Sequence, residues 1–312
     1  MELTPDFIFD PLPPLKYPVK YPFPEINPKD HLGPLNGLAG KWSGEGFNVI
    51  WRPHYGNGQN HFLELNLTRE LLEFTPIKGP IPNRGLLQPD INMYGLTYLQ
   101  QISDANQKDT TKQNPAGLHI EPGLWAVVPQ TSRPAEGRTV ARLASIPHGT
   151  AIVAQGKADL LTSAPDIPNI SIKPFTSGDP GARHDFNEQN LTMSSDFRTS
   201  VDGLKGITQE MVNNPNSLLQ SVIERQRIDA TIRLQVATDA TPVPGGGTAN
   251  TAFLGPNADA VSVTATFWLE RIQGELAPSQ LQYSQTVLLN FSGLSWPHVT
   301  VATLRKVVPC AK

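Results

Sequence analysis

A single cysteine, Cys310, stands in this chain, so no intrachain disulfide can hold it together. Charge is scarce and nearly balanced: Asp, Glu, Lys and Arg make up 17% of 312 residues and leave a formal net charge of −3. With no block rich in Lys and Arg, the sequence lacks the electrostatic footprint of a nucleic-acid or anionic-membrane partner, which points to a small-molecule ligand. Apolar runs are short and often interrupted, which excludes a membrane-spanning helix. The start Met1-Glu2-Leu3-Thr4-Pro5-Asp6 shows neither the basic nor the apolar region of a signal peptide, so the expected location is cytoplasmic. There is no Gly-x-Ser-x-Gly elbow, phosphate loop, dinucleotide fingerprint, His-Glu-x-x-His or cysteine pair, and standard hydrolase or nucleotide chemistry has nothing to rest on. The seven histidines, His31, His54, His61, His119, His148, His184 and His298, are scattered, and their spacing argues for no histidine-cluster metal site. Among the carboxylates no pair stands out, and Glu45, Glu121 and Glu270 read as rim or strand-face charges.

What the chain does have is 30 prolines, 25 glycines and alternation. In residues 228–236, Ile228, Ala230, Ile232, Leu234 and Val236 alternate with Asp229, Thr231, Arg233 and Gln235, the period of a strand with one apolar face. Residues 261–272 are rich in β-branched and aromatic side chains, without Gly or Pro. Such runs recur at about 42–52, 61–75, 91–104, 117–128, 138–146, 150–158, 227–238, 258–272, 280–292 and 297–308. Ten of them predict an all-β fold, a ten-stranded antiparallel up-and-down barrel forming a single domain over 35–312.

Three segments exceed a minimal barrel. Residues 5–34 hold nine prolines interleaved with Phe7, Phe9, Tyr17, Tyr21 and Phe23. This arm, 1–34, is expected to run extended along the outside of the barrel or onto a partner subunit in a homo-oligomer. Docking on another domain as a proline-rich ligand is the rival reading. An insert over 159–226 contains one helix, capped near Asn214-Pro215-Asn216-Ser217 and striped by Leu218, Leu219, Val222 and Ile223. It is expected to cover one barrel opening. Residues 239–256, with Pro244-Gly245-Gly246-Gly247, read as a mobile crossing between two strands.

Gly40-Lys41-Trp42-Ser43-Gly44-Glu45-Gly46 opens the first strand, and the last run, 297–307, ends on Arg305 and Lys306. An indole plugging one end of a barrel with a cation over its face joins the two ends of such a chain. The segment 40–46 resembles the Gly-x-Trp-x-Gly-x-Gly first strand of the nitrobindins, haem-binding barrels of the calycin and fatty-acid-binding-protein-like superfamily. Glu121-Pro122-Gly123-Leu124-Trp125 is similar to their Glu-x-Gly-aromatic segment, and the last strand resembles theirs, which begins with the axial histidine. The resemblance implies a haem b cofactor with its iron held by His298, the only protein donor a porphyrin iron needs. It implies Arg305 or Lys306 as the cation facing Trp42, and a haem-dependent reaction with nitric oxide, peroxynitrite or peroxide. His119 and His148 then become candidate distal residues. Each histidine also has a plainer reading as a hydrogen-bonded residue of a strand or turn, and a one-residue slip in the last strand would turn His298 outward. The competing function is a metal-free carrier of an apolar ligand such as a fatty acid in the barrel interior, with Arg52, Arg142 or Arg233 meeting its carboxylate.

Overall fold

The structure, a computed structural model, describes residues 31–108, 115–146, 148–201, 206–239 and 243–307. Most of the proline-rich arm and Cys310 therefore lie outside the described residues.

Ten long strands follow one another in chain order: β1 Gly40–Pro53, β2 His61–Pro76, β3 Ile91–Lys108, β4 Pro115–Val128, β5 Thr139–Ile146, β6 Thr150–Leu161, β7 Ile228–Ala237, β8 Asp259–Ile272, β9 Gln280–Phe291 and β10 Leu294–Lys306. Each pairs antiparallel with the next, and β10 returns to β1, so the sheet closes without a free edge. All ten expected strands are present, with ends shifted by a few residues. The closing register pairs Trp42 with Lys306 and Ile50 with His298.

Alternation sorts the side chains. On β1, Trp42, Asn48 and Ile50 face the interior, whereas Phe47, Val49 and Trp51 face outward and are fully buried all the same. The interior apolar core gathers Trp42, Phe74, Trp125, Phe267, Tyr283 and Leu304. One barrel end is sealed by the 3-10 helix Gly33–Leu38, whose Leu35 and Leu38 pack on Trp42 while its Leu38 carbonyl accepts the indole N–H at 2.7 Å. Lys306 Nζ lies 5.0 Å from the indole centroid and donates to the Gly37 carbonyl. The closing cation is thus Lys306; Arg305 is exposed on the other face of β10, because adjacent strand residues point to opposite sides. The motif glycine Gly46 is needed for close approach: a Cβ there would sit 2.3 Å from the Val301 carbonyl oxygen of β10.

The insert differs from expectation. It does not cover a barrel opening but lies against the outer wall of β1, β2 and β10. Its helices α1 (Gln209–Asn213) and α2 (Ser217–Ile223) bring Met211, Val212 and Leu219, together with Ile167 and Ile172, onto Trp51, Leu63, Trp296, Val299 and Val301. Trp51 donates to the Ile172 carbonyl at 2.9 Å, and Leu63 exchanges backbone hydrogen bonds with Phe197 and Thr199. The reason is the outward apolar faces of these strands, which need a second layer. The crossing over 239–256 is also more built than expected. Gly247–Asn250 pairs with the start of β6, and the short helix α3 (Gly255–Ala258) brings Leu254 and Ala258 to the open end of the barrel.

Candidate functional site

The open end holds a pocket of about 240 Å³, walled by Ile50, Ile102, Leu118, Ile146, Val287 and Leu289 and edged by Leu254. It adjoins an outer groove of about 690 Å³, and Ile102, Leu118, His119 and His148 line both. Three of the seven histidines meet here: His119 on β4, His148 in the turn between β5 and β6, and His298 on β10. In the strand order of the closed barrel, β4 to β6 stand across from β10, so the first two face the third across the pocket. The other four lie elsewhere: His31 stacks on Tyr94, His54 on Phe62, His184 bonds Thr176, and His61 is buried with Trp51 and Trp296 beneath the insert.

The register of β10 turns His298 inward. Burial, and after it the proximity of His119 and His148, pushes its imidazole down to about 3, so it is neutral at physiological pH. Its Nε2 stands 3.1 Å from the Asn48 side-chain amide, which also bonds Thr300 Oγ1 at 2.7 Å. With the amide drawn this way Asn48 Oδ1 is buried with no hydrogen-bond partner among the described residues. The rotated amide would accept an Nε2–H from His298 instead, fixing the tautomer and leaving Nδ1 as the donor nitrogen.

Beneath the pocket lies a polar layer. Glu121 and Arg142 form an ion pair at 2.5 Å with both side chains shielded from solvent, and the Tyr98 hydroxyl donates to the same Glu121 oxygen. Burial alone would raise Glu121, but the charge of Arg142, with hydrogen bonds from His119 and Tyr98, overrides it and brings the carboxyl to about 2. Gly123 makes this possible, since a Cβ there would lie 2.4 Å from the Tyr98 ring. The Glu-x-Gly-aromatic segment therefore places Glu121, a gap for Tyr98 and Trp125 on one inward face. Glu70, buried below Gln100 and Tyr283, is held up by desolvation against hydrogen bonds from Tyr283, Thr68 and Gln100. Glu121 and Glu270 are thus buried rather than strand-face charges; Glu45 alone of the three is exposed.

The arginines considered for a carboxylate ligand are all engaged. Arg52 pairs with Glu64 at 2.8 Å and Arg233 with Asp159 at 2.7 Å, and Arg142 bonds Glu121, Tyr98 and Gln285. No Lys, Arg, Asp or Glu lines the mouth pocket among the described residues.

Among the described residues, no group of three or more His, Cys, Asp and Glu is placed to hold a bare metal ion. A chelated iron is a different case, because it needs one protein nitrogen. The mouth offers it one neutral imidazole among apolar walls, with the Asn48 amide beside its Nε2, which fits the single protein nitrogen that a porphyrin iron requires. Among the described residues no helix is long and apolar enough to cross a membrane.

No family model matches the chain, and no curated protein matches it. Among solved structures, the chain is similar to the crystal structure of Rv2717c from M. tuberculosis, at 14% identity over 91% of this chain and 99% of that one, with a TM-score of 0.43.

Proposed function

We propose that the mouth pocket binds haem b with His298 as the axial ligand. The observation that carries this reading is the β10 register, which pairs His298 with Ile50 and Val287 and turns its neutral imidazole into an apolar pocket. The nitrobindin-like segments 40–46 and 121–125 support it. Asn48 would orient the ligand as its hydrogen-bond partner, the role that metal-bound imidazoles commonly require. Ile50, Val287, Leu289 and Leu254 would exclude water, while His119 and His148 stand on the facing wall. When bound, haem supplies an iron at which nitric oxide, peroxynitrite or peroxide reacts. A fatty-acid carrier draws less support, because its carboxylate would find Arg142 already neutralised by Glu121.

Titrating hemin into the full chain tests the reading. The wild type is expected to develop a sharp Soret band that His298→Ala loses, and Asn48→Ala is expected to weaken uptake by about 10- to 100-fold. A wild type that stays colourless, or a His298→Ala variant with an unchanged spectrum, overturns it.

A further inference from the structure

On the wall facing His298, three ionisable side chains form a file leading from the polar layer to the rim. Glu121 Oε2 lies 3.4 Å from His119 Nε2, and His119 Nδ1 lies 3.2 Å from His148 Nε2. Each link constrains the next. Glu121 is an acceptor only, since Arg142 and Tyr98 keep it ionised, so His119 Nε2 carries a proton toward it. With His119 Nε2–H directed at Glu121, its Nδ1 is the acceptor that faces His148, to which His148 Nε2–H donates. His148 Nδ1 is left without a proton and without a hydrogen-bond partner among the described residues. A buried carboxylate behind an imidazole both fixes its tautomer and stabilises the cation formed when it accepts a proton. Here the tautomer is fixed through a second imidazole.

We infer that His148 is the proton acceptor of the mouth pocket, with His119 and Glu121 as its positioning residues, and that the pocket takes an apolar molecule carrying one weakly acidic hydroxyl, of the phenol class. This rests on the reading of the mouth pocket as the binding site, but not on iron. The ligand class follows from the lining. Branched apolar side chains suit a ring or short hydrocarbon body, and among the described residues no Lys or Arg lines the pocket to hold a ready-made anion, Arg69 standing in the outer groove. A neutral molecule whose hydroxyl gives up its proton inside the pocket is what these walls accept. In that step the ligand O–H bond breaks and an N–H bond forms at His148 Nδ1, leaving an oxyanion beside an imidazolium. Burial and His119 hold His148 below its ordinary value, so it starts as the free base at neutral pH. Among the described residues, the other charged or titratable groups facing this file are Arg142 and Tyr98 behind Glu121, Glu70 below His119, Arg69 in the outer groove, and Tyr283 and His298 in the pocket wall.

The probe is 4-nitrophenol, whose absorbance separates phenol from phenolate, added to full-length protein prepared without haem. Bound probe is expected to ionise at a pH at least about one unit lower than in water, a tenfold or greater shift in its acid dissociation. His148→Ala is expected to abolish that shift, and His119→Gln to reduce it while His148 remains in place. Nitrobenzene, which lacks the hydroxyl, is expected to bind weakly. His298→Ala is expected to lose hemin uptake and keep probe ionisation, so the haem reading and this one fail separately. An unshifted or unbound probe in the wild type overturns the inference, as does a shift that survives in His148→Ala. A shift unchanged in His119→Gln overturns the relay behind His148.

Discussion

Glu270 shows how one buried carboxyl makes the molecule sensitive to pH. It lies on the outer face of β8, fully shielded, with Oε2 bonded to Gln280 at 2.5 Å and Oε1 without a partner among the described residues. Desolvation, only partly offset by Gln280 and Arg305, pushes it from 4.5 up to about 7. A folded value above the unfolded one means stability is fully present below about pH 4.5 and is lost as pH rises toward and through 7. Chemical denaturation of Glu270→Gln against the wild type is therefore expected to show a stability advantage for the variant that grows by about 3 kcal/mol from pH 4 to pH 9. A difference that does not change with pH would contradict the assignment. Glu121 has the opposite sign. Its folded value of about 2 contributes stability above pH 4.5 that disappears as pH falls toward 2, so acid should unfold the barrel through this ion pair.

Among the elements, the insert and the barrel wall form one hydrophobic layer, while the pocket lies on the other side of the same strands. Leu219 of α2 is fully buried against the outer cluster, and its carbonyl accepts from Gln282 on β9. Truncating it should leave a cavity costing about 3 kcal/mol. Leu219→Ala is expected to lower urea stability by that amount and leave hemin uptake intact, since only inward residues line the pocket. Loss of hemin uptake at unchanged stability would show that the insert reaches the site after all. The position of the insert was readable in principle. Phe47, Val49 and Trp51 make one face of β1 apolar while Trp42 and Ile50 point to the other, so the strand must be covered from outside as well as within. The helix itself is legible from its apolar stripe, although Asn216 makes no side-chain capping bond; which surface it covers depends on strands far away in sequence, β1 and β2 before it and β10 after it.

At the scale of the whole molecule, closure makes the site. All ten strands were legible because alternation and turn residues are local signals. The joining of β1 to β10 follows from Trp42 and a terminal cation, although the alternation that selects Lys306 over Arg305 is set by register. The same closure brings Asn48 within 3.1 Å of His298, 250 residues later, a pairing that spacing in sequence does not signal. His119 and Glu121 were a missed local sign: two residues apart on one strand, they had to share a face. Arg142 invites reading as a ligand partner because its own strand gives no sign of Glu121, which pairs with it from the neighbouring β4.

The most direct test of the central claim is a crystal structure of the hemin-treated full chain, with data collected at the iron absorption edge. The expected result is a single strong anomalous peak in the mouth pocket, bonded to a ring nitrogen of His298. An iron peak outside the pocket, or on another residue, would contradict the account.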